Sequence, residues 1–148
     1  MSKNLYLLLQ GPSNFSPSKI SSLHLELNQI NNNNFEALSF VEFYALTLDK
    51  EFSDHSKLLE LLNAQEQSVS PQFLVGPRSG TISPWASKTK EIIENVGING
   101  VLSVEKYFGY IIDGVDSVNN LNLTNLYDRM TQEVFFDSKI LANIRIGS

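Results

Sequence analysis

The segment from residue 75 to residue 92, VGPRSGTISPWASKTKEI, holds the side chains whose types and spacing are best suited to chemistry. Ser83 followed by Pro84 predicts the start of a helix, because serine caps a helix and proline loses nothing at the first helical position. The free N–H groups and partial positive charge of a helix start bind anions. A phosphate or carboxylate pocket at this point would be completed by Arg78, Ser79, Thr81, Ser83 and Lys88.

The same residues also fit a purely structural role. Ser83 can cap its own helix, which contributes about 1 kcal/mol, while Thr81 bonds to the loop backbone and Arg78 and Lys88 are solvated cations. Residue types alone favour this capping interpretation over an anion site. Trp85, the one tryptophan of the chain, is more typical of a core or interface anchor than of a stacking platform.

Several kinds of site are excluded or disfavoured by residue content. The chain has no cysteine, which excludes disulfides, thiolate metal sites and a cysteine nucleophile. His24 and His55 lie far apart, without a second ligand at metal-binding spacing, and we interpret both as ordinary histidines and predict no metal site. The sequence contains no glycine-rich nucleotide loop and no nucleophile motif. We therefore predict no catalytic residue and no cofactor within this segment.

Charge and hydropathy limit the partners of the chain. The net charge is -5 and there is no run of Lys or Arg, which argues against a nucleic-acid partner. The apolar run from Leu5 to Leu9 is too short for a signal peptide or a membrane span. We expect a cytoplasmic protein that binds neither nucleic acid nor a membrane.

The elements that must position these side chains follow a repeated order. Residues 4–10 predict a strand, Ser16 and Pro17 predict a helix start, and residues 37–49 predict a second strand. The same order of strand, helix and strand returns in residues 72–113. A connecting helix is expected at about 54–66, and a final helix at about 121–136 carries Asp128 and Arg129.

The two halves, about 4–49 and 72–113, also align residue by residue. LQGPSNFSP matches LVGPRSGTISP, and LSFVEFYALTLD matches LSVEKYFGYIID without a gap. We interpret this as a duplication with pseudo-two-fold symmetry. Because strands joined through a helix are usually parallel, we expect parallel pairs in a four-stranded sheet with helices on one face. The predicted fold class is an α/β (α+β) two-layer sandwich of ferredoxin-like character.

The closing strand of each half is apolar on both faces. One face of the first carries Phe43 and Ala45, and the matching face of the second carries Tyr107 and Gly109. A sheet with one wet face should alternate apolar and polar residues. We therefore expect another domain or chain to cover the second face, and we expect the chain to be a piece of a longer polypeptide.

Two segments resemble a known family. GPRSGTISPWASKTKEI is similar to the P-R-x-G-T-I-S-P-W-S-S-K-A-T-D-I motif of phosphoribosylformylglycinamidine synthase in its large single-chain form. LYDRMTQEVFF resembles the D-R-M-T helix of that family, with SVEKYFGYIID between the two. Ala86 stands where the family has Ser, and Thr89, Lys90 and Glu91 replace Ala, Thr and Asp. The motif positions that are kept are Arg78, Thr81, Ser83, Pro84, Trp85, Ser87 and Lys88.

The resemblance implies a role as the N-terminal domain of this enzyme, which resembles a dimer of the small separate subunit of the multi-subunit form. The full enzyme uses ATP, with Mg, and glutamine to convert formylglycinamide ribonucleotide to formylglycinamidine ribonucleotide in purine biosynthesis. The domain is then an inactive bridge between the synthase and glutaminase domains of the same polypeptide, and it supports ammonia passage. The implied substrate, channel or domain-interface residues are Arg78, Thr81, Ser83, Trp85, Ser87, Lys88, Asp128 and Arg129.

Two other functions stay open at this point. The first is a small-molecule-binding regulatory module of ferredoxin-like fold, with an anion held at the helix start at Ser83. The second is a free-standing enzyme, for which the sequence offers no constellation of catalytic residues.

Overall fold

A computed structural model describes residues 4–12, 16–66, 68–115 and 117–136. These residues form an α+β sandwich in which one six-stranded antiparallel sheet has the order β3-β1-β2-β5-β4-β6. The strands are β1 (Leu5–Gln10), β2 (Ala37–Leu48), β3 (Gln65–Glu66), β4 (Phe73–Pro77), β5 (Val101–Asp113) and β6 (Gln132–Phe135), and the helices are α1 (Pro17–Asn31), α2 (His55–Leu62) and α3 (Pro84–Asn95).

Helices cover one face of the sheet, as predicted. Leu27 of α1 packs against Phe40 of β2 and Tyr110 of β5. Leu58 of α2 and Ile93 of α3 pack at the other end of the same face, against alternate residues of β2 and β5. Two apolar clusters therefore share one face of the sheet, one cluster under α1 and the other under α2 and α3.

The strands within each half are antiparallel, and the prediction of parallel pairs was wrong. β1 pairs with residues 43–48, the second half of β2, while α1 lies over the first half of β2. At about 3.3 Å per strand residue and 1.5 Å per helix residue, β1 and α1 end to end span about 42 Å, and β2 alone spans about 40 Å. The chain thus continues from β1 through α1 in one direction and returns along the single long strand β2.

The sheet has six strands because two short segments extend the predicted four. The predicted connecting helix, 54–66, ends at Leu62, where Asn63 takes a left-handed conformation with φ 51°. The next residues form β3, which pairs with Leu9 and Gln10 of β1. β6 pairs with β4 on the other side of the sheet.

The predicted final helix at 121–136 was also wrong. Residues 118–131 form turns, and residues 132–135 form β6. Side chains from distant parts of the chain hold these turns: Asn31 bonds to the backbone of Asn122, and Asn125 bonds to the carbonyl of Leu23. The helical spacing of the apolar residues reflects burial of Leu123 and Leu126 beside α1, and not a helix.

The second face of the sheet is buried largely by the chain itself. Phe43, Leu74 and Tyr107 on this face are at most 2% exposed. Residues 68–72 join the β3 side of the sheet to β4 and pass over this face. Ser68 bonds to Gln10 of β1, and Pro71 lies against Gly109 of β5. A second domain or chain is therefore not needed to cover the centre of the face, contrary to the sequence-based hypothesis.

The register at the centre of the sheet fits a two-fold relation between the halves. Phe43 and Tyr107 align in the repeat, and they are also paired across β2 and β5. On either side, Tyr44 pairs with Lys106 and Glu42 pairs with Phe108, and each pair maps onto the other in the repeat alignment. A two-fold axis that passes between Phe43 and Tyr107 would relate the pairs on either side to each other. The duplication itself stays a prediction, which superposition of the two halves would test.

Candidate functional site

Helix α3 begins at Ser83, as the sequence predicts. Ser83 has extended backbone angles, φ -72° and ψ 156°, and its hydroxyl accepts a hydrogen bond from the N–H of Ala86 at 3.0 Å. Pro84 takes the first helical position. The capping interpretation of this segment is therefore confirmed, and one helix-start N–H is satisfied within the chain.

A buried carboxylate that sequence reasoning missed lies against this helix start. Glu105 of β5 is 1% exposed. It accepts hydrogen bonds from the Ser83 N–H at 3.1 Å, the Ser83 hydroxyl at 2.7 Å and the Lys106 N–H at 3.0 Å. The anion beside Ser83 is thus the protein's own Glu105, which disfavours an external anion at Ser83. A carboxylate among the mostly apolar residues of strand β5 was the available signal.

The loop before α3 joins the second motif segment. The N–H of Arg78 donates to the carbonyl of Thr131 at 3.2 Å, and its guanidinium Nη1 donates to the carbonyl of Arg129 at 3.1 Å. The N–H and hydroxyl of Ser79 donate to Oε1 of Glu133 at 3.1 and 3.3 Å. The structure therefore brings Arg78 and Arg129 together from two segments that are far apart in sequence.

Thr81 and Asp128 each shape a turn. The hydroxyl of Thr81 donates to the carbonyl of Arg78 at 2.6 Å. Oδ1 of Asp128 accepts from the N–H of Met130 at 2.9 Å, and the Asp128 carbonyl accepts from the N–H of Gln132 at 2.7 Å. Their side chains are thus engaged with the local backbone, while the turns present neighbouring side chains to solvent.

Trp85 anchors α3 to the sheet. Its ring stacks on Tyr44 of β2 with centroids 5.4 Å apart, and Nζ of Lys106 lies 5.1 Å from the Trp85 ring centroid. Burial, the nearby charge of Glu42 and the hydrogen bond to its carboxylate together raise the pKa of Tyr44 to about 12. Trp85 is thus a half-buried anchor, in agreement with the interpretation of its residue type.

Ser87 and Lys88 project from the exposed side of α3. Ser87 borders a small cavity, together with Arg78 and Thr81. Lys88 is not among the residues that line this cavity. The structure thus places seven of the eight predicted site residues around two loops and the start of α3, and the eighth, Lys88, is an exposed residue of α3 outside the cavity lining.

The described residues contain neither a cluster of metal ligands nor a membrane-spanning helix. In ranges 4–12, 16–66, 68–115 and 117–136, there is no group of three or more His, Asp or Glu that could hold a metal ion. Nε2 of His24 is 2.7 Å from the carbonyl oxygen of Phe35, and His55 packs edge-on against Phe52. Within the same ranges, no helix has the length and apolar character needed to cross a bilayer.

Two turns carry apolar side chains that are unusually exposed. Ile82 follows the first turn and is 73% exposed, and Met130 lies in the second and is 85% exposed. We call residues 78–82 and 128–131 the motif surface. It combines these two apolar side chains with the exposed cations Arg78 and Arg129.

Most of the chain matches a known protein family. A family model described as formylglycinamide ribonucleotide amidotransferase N-terminal matches residues 38–144. The matched range includes both segments of the motif surface, all of β5 and all of β2 except its first residue.

Proposed function

The chain belongs to the formylglycinamide ribonucleotide amidotransferase N-terminal family, and from this premise we propose that it bridges the synthase and glutaminase domains of the same polypeptide. In this role it supports ammonia passage to the synthase domain. ATP, Mg and the reacting groups belong to those other domains, and the segment alone is inactive. The enzyme acts in the cytoplasm, on formylglycinamide ribonucleotide.

The exposure of Ile82 and Met130 is the observation that carries this proposal. A contiguous apolar patch rimmed by polar residues marks a site where proteins associate, and we propose that Ile82 and Met130, on two turns joined by hydrogen bonds, belong to one such patch. Aromatic residues, methionine and arginine are enriched at such contacts. The motif surface has methionine, isoleucine and two arginines on adjoining turns. We therefore assign it as the face that docks against the neighbouring domains.

Hydrogen bonding makes this face rigid before it docks. Arg78 and Ser79 link the first turn to the second through the Arg129 carbonyl and the Glu133 carboxylate. Glu105 and Ser83 tie the end of the first turn to β5. A preorganised face loses less entropy on association, which suits a scaffold that holds two domains in register.

The polar residues of the site support a non-catalytic role, because their functional groups are already engaged. The Glu105 carboxylate accepts three hydrogen bonds from backbone and serine donors. The Asp128 carboxylate and the Thr81 hydroxyl are bonded to local backbone. Proton transfer or nucleophilic attack by these groups would first require that the turns open.

Substitution in the full-length enzyme that contains this chain tests the bridging role. Ile82→Asp and Met130→Asp place a charge on the motif surface, and Val96→Asp is the matched control, because Val96 is 55% exposed near the other end of α3. We expect glutamine-dependent synthesis to fall at least tenfold, corresponding to about 1.4 kcal/mol, while Val96→Asp retains the wild-type rate. Ammonia-dependent synthesis is measured in parallel.

The two rates separate the parts of the proposal. Loss of the glutamine-dependent rate with a retained ammonia-dependent rate assigns the surface to ammonia transfer. Loss of both rates assigns it to support of the synthase domain. Wild-type values of both rates in Ile82→Asp and Met130→Asp would contradict the bridging role.

A further inference from the structure

A cavity of about 220 Å³ lies behind the first turn of the motif surface, between this turn, α3 and β5. Ala86 and Lys90 line it from α3, and Ser103, Val104 and Tyr107 line it from β5. The cavity is smaller than the range of roughly 300–1,000 Å³ that holds drug-sized ligands. A water molecule occupies about 30 Å³ of liquid, so the cavity corresponds to the volume of about seven waters.

The charged side chains that line the cavity are positive. Arg78 and Lys90 are the charged residues that line the cavity among those the structure describes, and both are positive. The nearest buried carboxylate on β5, Glu105, is engaged by Ser83 and Lys106. Two cations without a carboxylate in the lining, within a chain of net charge -5, favour an anionic ligand. The planar guanidinium suits a carboxylate or a phosphate.

The β5 side of the cavity combines apolar side chains with one hydroxyl that lacks a partner. Val104 and Tyr107 are buried against it. Oγ of Ser103, on the same strand, is buried and makes no hydrogen bond within the described residues. Buried hydroxyls normally have a partner, and Ser103 lines the cavity, so a ligand bound there would satisfy this hydroxyl. The β5 side thus suits a short apolar chain with a polar end group.

We propose that this cavity binds a small carboxylic acid with a short apolar chain. The carboxylate lies between Arg78 and Lys90, and the apolar chain lies against Val104 and Tyr107. The Ser103 hydroxyl donates a hydrogen bond to an oxygen of the ligand. This proposal goes beyond the bridging role and does not depend on it, because the cavity is formed within this chain alone.

Titration of the ¹⁵N-labelled 148-residue chain with 3-methylbutanoate, followed by NMR, tests the proposal. We expect saturable shifts of the amide signals of Ser87, Lys90 and Val104. The uncharged 3-methylbutanamide tests the need for the negative charge, and inorganic phosphate tests the need for the apolar chain. Both are expected to bind about tenfold more weakly or worse, since a hydrogen bond to a charged group and a buried apolar chain each contribute on that scale.

Variants locate the binding site. Lys90→Gln removes one cation and Ser103→Ala removes the free hydroxyl, and each should weaken 3-methylbutanoate binding severalfold. Lys88→Gln removes a neighbouring cation of α3 that does not line the cavity and should leave the affinity unchanged. The amide spectra of the variants show directly that each is folded.

Three results would overturn the proposal. The first is the absence of saturable shifts at residues 86–90 and 102–104. The second is equal affinity for 3-methylbutanoate and for either the amide or phosphate. The third is equal weakening by Lys88→Gln and Lys90→Gln, which would show that only the overall charge of α3 matters. None of these results bears on the docking experiment, because that experiment measures rates of the full-length enzyme.

Discussion

Glu105 holds Ser83 with both oxygens of its carboxylate: Oε1 accepts the hydroxyl of Ser83 at 2.7 Å and Oε2 accepts its N–H at 3.1 Å. The hydroxyl oxygen of Ser83 in turn accepts the N–H of Ala86. The Glu105 carboxylate, the helix cap Ser83 and the first turn of α3 thus form one hydrogen-bond network. Because Glu105 is buried, this network fixes the end of the motif surface to the sheet.

Removal of the Glu105 carboxylate or of the Ser83 hydroxyl should destabilise the folded protein. We expect Glu105→Ala to lower the free energy of unfolding by about 3 kcal/mol, since charged hydrogen bonds contribute about 1.5–3 kcal/mol each, and Ser83→Ala by about 1–2 kcal/mol. Urea unfolding measures both. Glu94→Ala, on the exposed face of α3, is the control and should change stability by less than about 0.5 kcal/mol.

The double variant separates the Glu105–Ser83 interaction from the single effects. In a double-mutant cycle we expect a coupling energy of about 1 kcal/mol or more between Glu105→Ala and Ser83→Ala. Strictly additive losses would show that the two groups contribute independently, and that the hydrogen bonds between them add nothing to stability.

Gly76 of β4 lies so close to Tyr107 of β5 that we expect any larger residue at position 76 to destabilise the fold. A Cβ atom at this position would overlap the ring of Tyr107, and Tyr107 is 2% exposed and cannot move without disturbing the core. We expect Gly76→Ala to lower the free energy of unfolding by about 1–3 kcal/mol, as overpacking does. Gly11→Ala, whose Cβ would meet the tip of the Tyr44 ring at 2.9 Å, should cost less. Equal urea midpoints for wild type and Gly76→Ala would contradict the packing.

Stability should fall at alkaline pH through buried tyrosines. Burial raises the pKa of Tyr110 from 10.0 to about 12. Its contribution to stability is therefore complete below pH 10 and is lost as pH rises from 10 to 12, by about 1.4 kcal/mol per pH unit. Urea unfolding at several pH values measures this slope. The free energy of unfolding of Tyr110→Phe should fall less steeply above pH 10 than that of wild type. Equal slopes for the two proteins would show that Tyr110 does not titrate in this range.

Charge at the motif surface should matter more than charge elsewhere on α3. Arg78 bonds to the Arg129 carbonyl and joins the two turns, whereas Lys88 is an exposed residue of α3. In the full-length enzyme, we expect Arg78→Gln to lower the glutamine-dependent rate about tenfold, or about 1.4 kcal/mol in the barrier, and Lys88→Gln to leave it near wild type. A larger loss for Lys88→Gln would reassign the functional cation.

Local signals in the sequence predicted both long helix starts correctly. Ser16 and Pro17 begin α1, and Ser83 and Pro84 begin α3, because a cap and a first-turn proline act within one turn of chain. Residues 37–48 and 101–113 were also recognised as strands, since their β-branched and aromatic content is a local property.

Features that depend on distant contacts were missed. Val134 has helical spacing with Met130, yet Val134 and Phe135 form a strand because Val134 faces Val75 across β4 and β6. The antiparallel pairing depends on the relative lengths of β1, α1 and β2, and not on any residue type. Glu105 became visible as part of the site once the fold brought it to Ser83.

Hydrogen exchange of the motif surface tests the docking role most directly. The backbone amides of residues 78–82 and 128–131 are compared in this chain alone and in the full-length enzyme, with residues 55–62 of α2 as the internal reference. Docking should slow exchange at the motif surface at least tenfold in the full-length enzyme, since burial against a partner adds to local protection, while the reference changes little. Equal exchange of the motif surface in both proteins would contradict the claim that neighbouring domains cover it.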